Sequence, residues 1–373
     1  MTDPAASVDQ TSPGPPGVLP DIAITRLIDT GAIAAPSGIE AGQIQPASLD
    51  LRLGPVAWRV RASFLAGATQ SVTQRLDAFS MHKMDLRDGA VLETGCVYIV
   101  PLMERLDLPP DISAVANAKS STGRLDLFTR LITDRGTEFD RIEAGYAGPL
   151  FAEISPRSFS VLVRPGMRLN QIRFRRGQAT LDDAALSALH AERGLVDRAP
   201  HIDGGIGFSV DLAPQSGQPA GWRAKPHSGL IDLDRIAHYS VAEFWEPVEP
   251  RPEGGIILDP GAFYILVSRE AVHVPPDFAA EMAPYLAMVG EFRVHYAGFF
   301  DPGFGHPSTG GSGSRGVLEV RCHEAPFALE HGQMVGRLVY ERMADLPDLL
   351  YGSAIGSTYQ GQELKLSKHF QAP

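Results

Sequence analysis

The sequence predicts a mainly β chain: two tandem barrel- or sandwich-like units with a few short helices. Three observations carry this. Glycine (38) and proline (30) are abundant and break up short Val/Ile/Leu/Phe runs, the pattern of strands joined by turns. With 373 residues, the chain is long for one domain and comfortable for two. Finally, separated segments recur at one offset of 166 residues. LETGCVYI (92–99) returns as LDPGAFYI (258–265), and LPPD (108–111) as VPPD (274–277). FAEI (151–154) matches LEV (318–320), aligning Glu153 with Glu319, and RPGMRLNQIRF (164–174) matches EHGQMVGRLVY (330–340). Upstream, PASLDLRLG (46–54) resembles GFSVDLAP (207–214) at an offset of 161. A duplicated unit explains an offset held across so many segments.

The elements follow in chain order. Residues 1–20, rich in Pro and lacking apolar runs, are expected to be a disordered tail. A helix is expected over about 21–30, stopped by Gly31. It opens the first β unit, 21–178. A helical connector is expected over 179–200, with Thr180 and Asp183 resembling a capping box and Gly194 suiting a C-terminal cap. The second β unit, 201–373, ends in an arm, STYQGQELKLSKHF.

The net charge of −11 argues against a general nucleic-acid binder. A polyphosphate ligand must therefore be met by a local basic cluster. The two cysteines, Cys96 and Cys322, fit a reducing cytoplasm and cannot form a four-cysteine zinc site. No stretch has the length and apolarity of a membrane span, and the N-terminus does not read as a signal peptide.

Three motifs stand out. KSSTGR (119–124) offers the cations, hydroxyls and backbone N–H groups that suit phosphate oxygens, although a solvated turn has the same composition. It is not a P-loop, because the G-x-x-x-x-G-K-[ST] order is absent. Glu153 and Glu319 each lie inside an apolar strand. Such a carboxylate is paired, faces outward, or is poised for proton transfer. Asp301 opens a D-P-G turn, where the first unit has Glu143. His190-Ala191-Glu192 matches half of the zinc-deaminase pattern, but no P-C-x-x-C follows, so the match is accidental.

Together these residues resemble the trimeric dCTP deaminases of the dUTPase-like β superfamily, in a double-length, duplicated form. The shared elements are the S-S-x-x-R-L core after a basic residue (Lys119, Ser120, Ser121, Arg124, Leu125), then Ala297 before the Asp301 turn. Val317-Leu318-Glu319, Tyr351, the Tyr359-x-x-Gln362 segment and IQPASLDLRLG (44–54) complete the set. The resemblance implies hydrolytic deamination of dCTP to dUTP and ammonia without zinc. A glutamate would activate water and shuttle protons. The motif serine and a backbone carbonyl would hold that water, and the arginine would support the reacting end. The basic loop and the arm would hold a triphosphate carrying Mg²⁺, with dTTP as a possible inhibitor.

The second unit has YLAMVG (285–290) where the first has KSSTGR, and the first lacks the D-P-G form. Neither unit holds a full set. The resemblance therefore implies a composite site: Lys119, Ser120, Ser121 and Arg124 from unit one, with Ala297, Asp301, Val317, Leu318 and Glu319 from unit two. Tyr351, Tyr359 and Gln362 would come from the arm region. Glu153 is the rival to Glu319 as the working carboxylate. Since the family assembles from three β units, three chains carrying six units are expected. A dUTPase or bifunctional deaminase/dUTPase, and a non-catalytic nucleotide-binding scaffold, are the alternatives.

Overall fold

A computed structural model describes residues 14–213, 218–252, 254–284, 292–295, 298–352 and 361–372. Its architecture is mainly β. In the first unit, one six-stranded sheet runs Arg141–Ile142, Ile112–Ala118, Arg168–Arg176, Ser48–Arg52, Ile44–Gln45, with Gly17–Val18 joined to Arg168–Arg176. The other runs Leu127–Thr133, Ala147–Pro156, Val97–Asp107, Val56–Val60, Ser80–Asp85, with Ile33–Ala34 joined to Val97–Asp107. The second unit repeats the plan. A four-stranded sheet runs Ile206–Ser209, Met334–Arg342, Phe278–Pro284, Phe299–Phe300. A five-stranded sheet runs Trp245–Val248, Gly221–Ala224, Phe263–Val272, Ser314–Cys322, Phe292–His295.

The 166-residue offset reappears in the strand pairing. Glu153 faces Ile99 and Glu319 faces Ile265, so 265 − 99 = 319 − 153 = 166. The strands Ile112–Ala118 and Phe278–Pro284 are likewise 166 residues apart at both ends. The two glutamates thus occupy matching places in their sheets.

Both units share apolar packing. One continuous core contains Leu51, Tyr98, Ile154 and Phe174 of the first unit with Trp245, Phe263, Ile265 and Val317 of the second. Phe159 packs edge-on against Phe244 and Trp245, at ring-centroid distances of 5.7 and 5.4 Å. Phe370, near the C-terminus, stacks into the same cluster, 5.8 Å from Trp245. Val161 also pairs in parallel with Ile231 across the units.

Two local expectations change. The tail ends earlier than residue 20: Gly17–Val18 is a strand, and Val18 and Leu19 are buried. An apolar Val-Leu pair has a core to enter here, which its Pro-rich flank obscures. Residues 1–13 lie outside the described set. The connector helix is Asp183–Arg193, and its N-cap is Asp182, whose Oδ1 accepts from Ala185 N at 2.8 Å. Thr180 instead bridges to Glu341. Gly194 closes the helix in the left-handed region, at φ 62°. The early helix spans Asp21–Asp29, with Gly31 at φ 78° just beyond. Among the described residues, no helix is long and apolar enough to cross a membrane.

Candidate active site

The basic loop folds as one helical turn, Ser120–Gly123, with Lys119 at its N-cap. Its first bonds run from the N–H groups of Thr122 and Gly123 to Lys119 O, at 2.8 and 3.0 Å. So short a helix has two faces, and each looks into a different cavity. Residues four apart share a face. Ser120 and Arg124 therefore point together, while Lys119, Ser121 and Thr122 point the other way.

Ser120 and Arg124 line a pocket of about 30 Å³ with Val317, Glu319, Phe299, Phe300, Phe304, Met282, Tyr351 and Gln362. Here the two units meet. Glu319 is buried, 2% exposed, on Ser314–Cys322 beside Ile265 and His295. Arg124, also buried, donates from Nη2 to Gln362 Oε1 at 2.7 Å and from Nη1 to Lys365 O at 2.8 Å. Gln362 in turn donates from Nε2 to Arg315 O at 3.1 Å, so the arm bridges the loop and the glutamate strand. Gly298 seals one side. A Cβ there would lie 2.3 Å from Ser120 Oγ, and its φ of 98° already favours glycine.

The opposite face of the loop opens into a cavity of about 300 Å³. Three cations reach it: Lys119, Arg168 and Lys368. Asp50 reaches it too, pairing with Lys119 Nζ. Asp50 is 2% exposed, and its Oδ1 has no hydrogen-bond partner among the described residues. Burial lowers the Lys368 pKa from its ordinary value, and the nearby positive charge of Lys119 adds to the effect. A cation held under such strain favours an incoming anion. Lys368 lies in the arm expected to hold the triphosphate, and Arg168 and Asp50 lie in the RPGMRLNQIRF and IQPASLDLRLG elements, none of them singled out by its own signal.

His369, beside Lys368, fastens the arm. Its Nδ1 lies 2.9 Å from Ser367 Oγ and its Nε2 3.2 Å from Leu233 O, while Ser367 Oγ donates to Ser121 O at 2.7 Å. Burial, reinforced by Lys368, pushes its imidazole down to about 4; the Leu233 carbonyl and Asp232 oppose this. Burial therefore favours the neutral ring, with Nε2–H donating to Leu233 O and the Ser367 hydroxyl shared between Nδ1 and Ser121 O. Between pH 4 and 6.5 the unfolded chain binds the extra proton, so stability is lost as pH falls through that window. The gap from 6.5 to about 4 sets an upper limit of about 3 kcal/mol. Urea unfolding at pH 7 and pH 5 should show a weaker pH slope in His369→Gln than in the parent; equal slopes would refute the assignment.

Other expected site residues lie elsewhere. Leu318 points into the second unit's own core, as strand alternation requires for a neighbour of Glu319. Asp301 does not line the pocket. It is buried against Arg173, Oδ1 to Nη2 at 3.0 Å, and burial holds its carboxyl above the usual range. Glu153 is also removed from the pocket. Its Oε1 accepts from Arg130 Nε at 3.1 Å and its Oε2 from Ser63 Oγ at 2.6 Å, while Arg130 stacks 3.5 Å from the Phe139 ring. Glu143 is exposed and pairs with Arg141 at 2.9 Å. Ala297, Tyr359 and residues 285–290 lie outside the described set.

Comparison with known proteins places the chain among its relatives. Residues 15–178 match the family model "2'-deoxycytidine 5'-triphosphate deaminase (DCD) N-terminal domain", and residues 182–370 match the corresponding C-terminal domain. A dCTP deaminase of Natronomonas pharaonis is 29% identical over 181 residues, 48% of this chain and 87% of that protein. A "dCTP deaminase, dUMP-forming" of Kocuria rhizophila is 31% identical over 172 residues, 43% of this chain and 85% of that protein. A crystal structure of 2'-deoxycytidine 5'-triphosphate deaminase from Agrobacterium tumefaciens superposes with a TM-score of 0.85 at 57% identity. It covers 88% of this chain and 99% of that one.

Proposed function

The chain belongs to the 2'-deoxycytidine 5'-triphosphate deaminase family, and from that membership we infer that it hydrolyses dCTP to dUTP and ammonia at a site built by both units. One observation carries the composite reading: Ser120 and Arg124 of unit one line the same pocket as Glu319 of unit two.

The chemistry asks for a water that attacks C4 of cytosine, a proton for ring N3, and a proton for the departing amine. A positioned carboxylate serves all three: it passes the first water proton to ring N3, then carries the second from the C4 hydroxyl to the amine, which leaves as ammonia while C4 becomes a carbonyl. Glu319 is that carboxylate. Ser120 holds the water, and Arg124 supplies fixed positive charge near the reacting end. The reading needs no protein-bound zinc, since Cys96 and Cys322 lie in different units and cannot provide a Cys-x-x-Cys pair. At about 30 Å³ the pocket has room for water but not for a pyrimidine, so it widens around the substrate.

The larger cavity suits the triphosphate. Lys119, Arg168 and Lys368 meet its oxygens, and the Asp50 carboxylate faces the Mg²⁺ that the nucleotide carries. Phosphate contacts remote from C4 supply orientation. Three chains with six β units, a cytoplasmic setting and inhibition by dTTP complete the proposal. Purified protein with dCTP and Mg²⁺ should release ammonia and dUTP in equal amounts. Absence of ammonia would sink the reading. Since some relatives are named dUMP-forming, pyrophosphate release in the same assay would favour the bifunctional alternative.

A further inference from the structure

The loop touches the glutamate strand at a second point, outside both cavities. Asp126 follows the helical turn and forms an ion pair with Arg321 of Ser314–Cys322. The side chains are 1% and 11% exposed. Ser158 Oγ donates to Asp126 Oδ2 at 2.7 Å, and Arg321 also donates to Ser158 Oγ at 3.2 Å and to Gly261 O. Four chain segments, at Asp126, Ser158, Gly261 and Arg321, thus converge on one well-satisfied charge pair. Asp126 has φ 53°, in the left-handed region that glycine fills at lower cost.

Strand alternation supplies the rest. Val317, Glu319 and Arg321 share one face of their strand. On the loop, Ser120 and Arg124 meet Glu319, and Asp126 meets Arg321. We propose that Asp126 and Arg321 are a positioning pair that fixes where the basic loop stands along the glutamate strand, and so aligns Ser120 and Arg124 with Glu319. The inference rests on Glu319 being the proton-transfer group. Same-face residues on a strand are roughly 6.6 Å apart, so even a fraction of that slip takes the water out of register with the carboxylate.

The cleanest test is Asp126→Gly, because glycine suits the backbone and removes the charge pair together with the acceptor of Ser158 Oγ. It should fold, lower kcat for dCTP about tenfold or more, and leave KM within about threefold, since the phosphate-side cations are untouched. Arg321→Met should match it. The double variant should be no worse than either single, and Arg321→Lys should recover part of the rate. If Arg321→Met fails to fold, Asp126→Gly and Arg321→Lys still decide. A kcat within twofold of the parent in Asp126→Gly, or losses that multiply in the double variant, overturns the pair. Glu319→Gln run alongside separates the two claims. If it is fully active, the reading of the site fails. If it is inactive beside a fully active Asp126→Gly, only the positioning pair fails.

Discussion

Glu319→Gln is expected to lower kcat for dCTP by about 10²–10⁴-fold while KM moves little. The amide fills the same buried space on Ser314–Cys322 but cannot take a proton from water or return it to the ring. The fold should survive, because glutamine keeps the size and hydrogen-bonding capacity of the side chain. Glu153→Gln is the matched control, with the same chemistry at the equivalent strand position of unit one. There the carboxylate holds Arg130 and Ser63 and faces no pocket shared with Ser120. Its loss should cost stability and spare turnover. Steady-state kinetics on both variants, with thermal melts, reads the difference. If Glu153→Gln loses the rate and Glu319→Gln keeps it, the composite site is wrong and the chemistry belongs to unit one.

The second large effect concerns stability. Arg173 is fully buried between the units, with Nη2 3.0 Å from Asp301 Oδ1, Nη1 3.3 Å from Glu341 Oε2 and the guanidinium 4.0 Å from the Phe299 ring. Arg173→Met leaves Asp301 buried without its arginine, and Glu341 with Arg175, at 2.6 Å, as its remaining ion-pair partner among the described residues. Breaking a buried pair by removing one partner costs about 3–5 kcal/mol. The sign with pH follows from Asp301. Burial raises its carboxyl, and Arg173 opposes that rise. Without the arginine the folded chain prefers the neutral acid, whose stabilising contribution is complete below the unfolded carboxyl pKa and fades as pH rises through the folded one. Relative to the parent, the variant should therefore suffer more at pH 8 than at pH 5.5. Urea titrations at both values test this, and a loss under about 1 kcal/mol at pH 8 would count against a supporting role for the network. Adding Asp301→Asn should recover part of the loss.

Much of this was legible in the chain. The 166-residue offset foreshadowed the matched strand registers, because tandem units must place equivalent residues at equivalent sheet positions. The contrast between KSSTGR and YLAMVG pointed to a site assembled from unlike halves, and Ser120, Arg124 and Glu319 do share a pocket. The division of the loop between two cavities was not legible. It depends on one turn of helix splitting neighbouring residues between faces, and a Ser-Gly-rich hexamer reads equally well as an open loop. The D-P-G sequence by itself signals only a turn, and Asp301 is expected in the pocket solely through the family resemblance. The cation it serves, Arg173, lies 128 residues away in an unremarkable strand. Asp126 and Arg321 are 195 residues apart. Contacts of that span leave no local periodicity, so only the folded arrangement displays them.

The shared apolar core has a consequence for how the molecule comes apart. A chain with two look-alike halves invites the picture of two modules on a string, each able to melt alone. Here Val317 and Ile265 of one half are packed in the same core as Leu51 and Tyr98 of the other, and Phe370 returns from the far terminus to close it. The first half loses part of its interior when the second leaves, while the second half also holds a core of its own around Leu266, Leu318 and Tyr340. The halves are duplicates in plan but not in independence: a cut at the connecting helix would strip the first half's core of Trp245, Phe263, Ile265 and Val317.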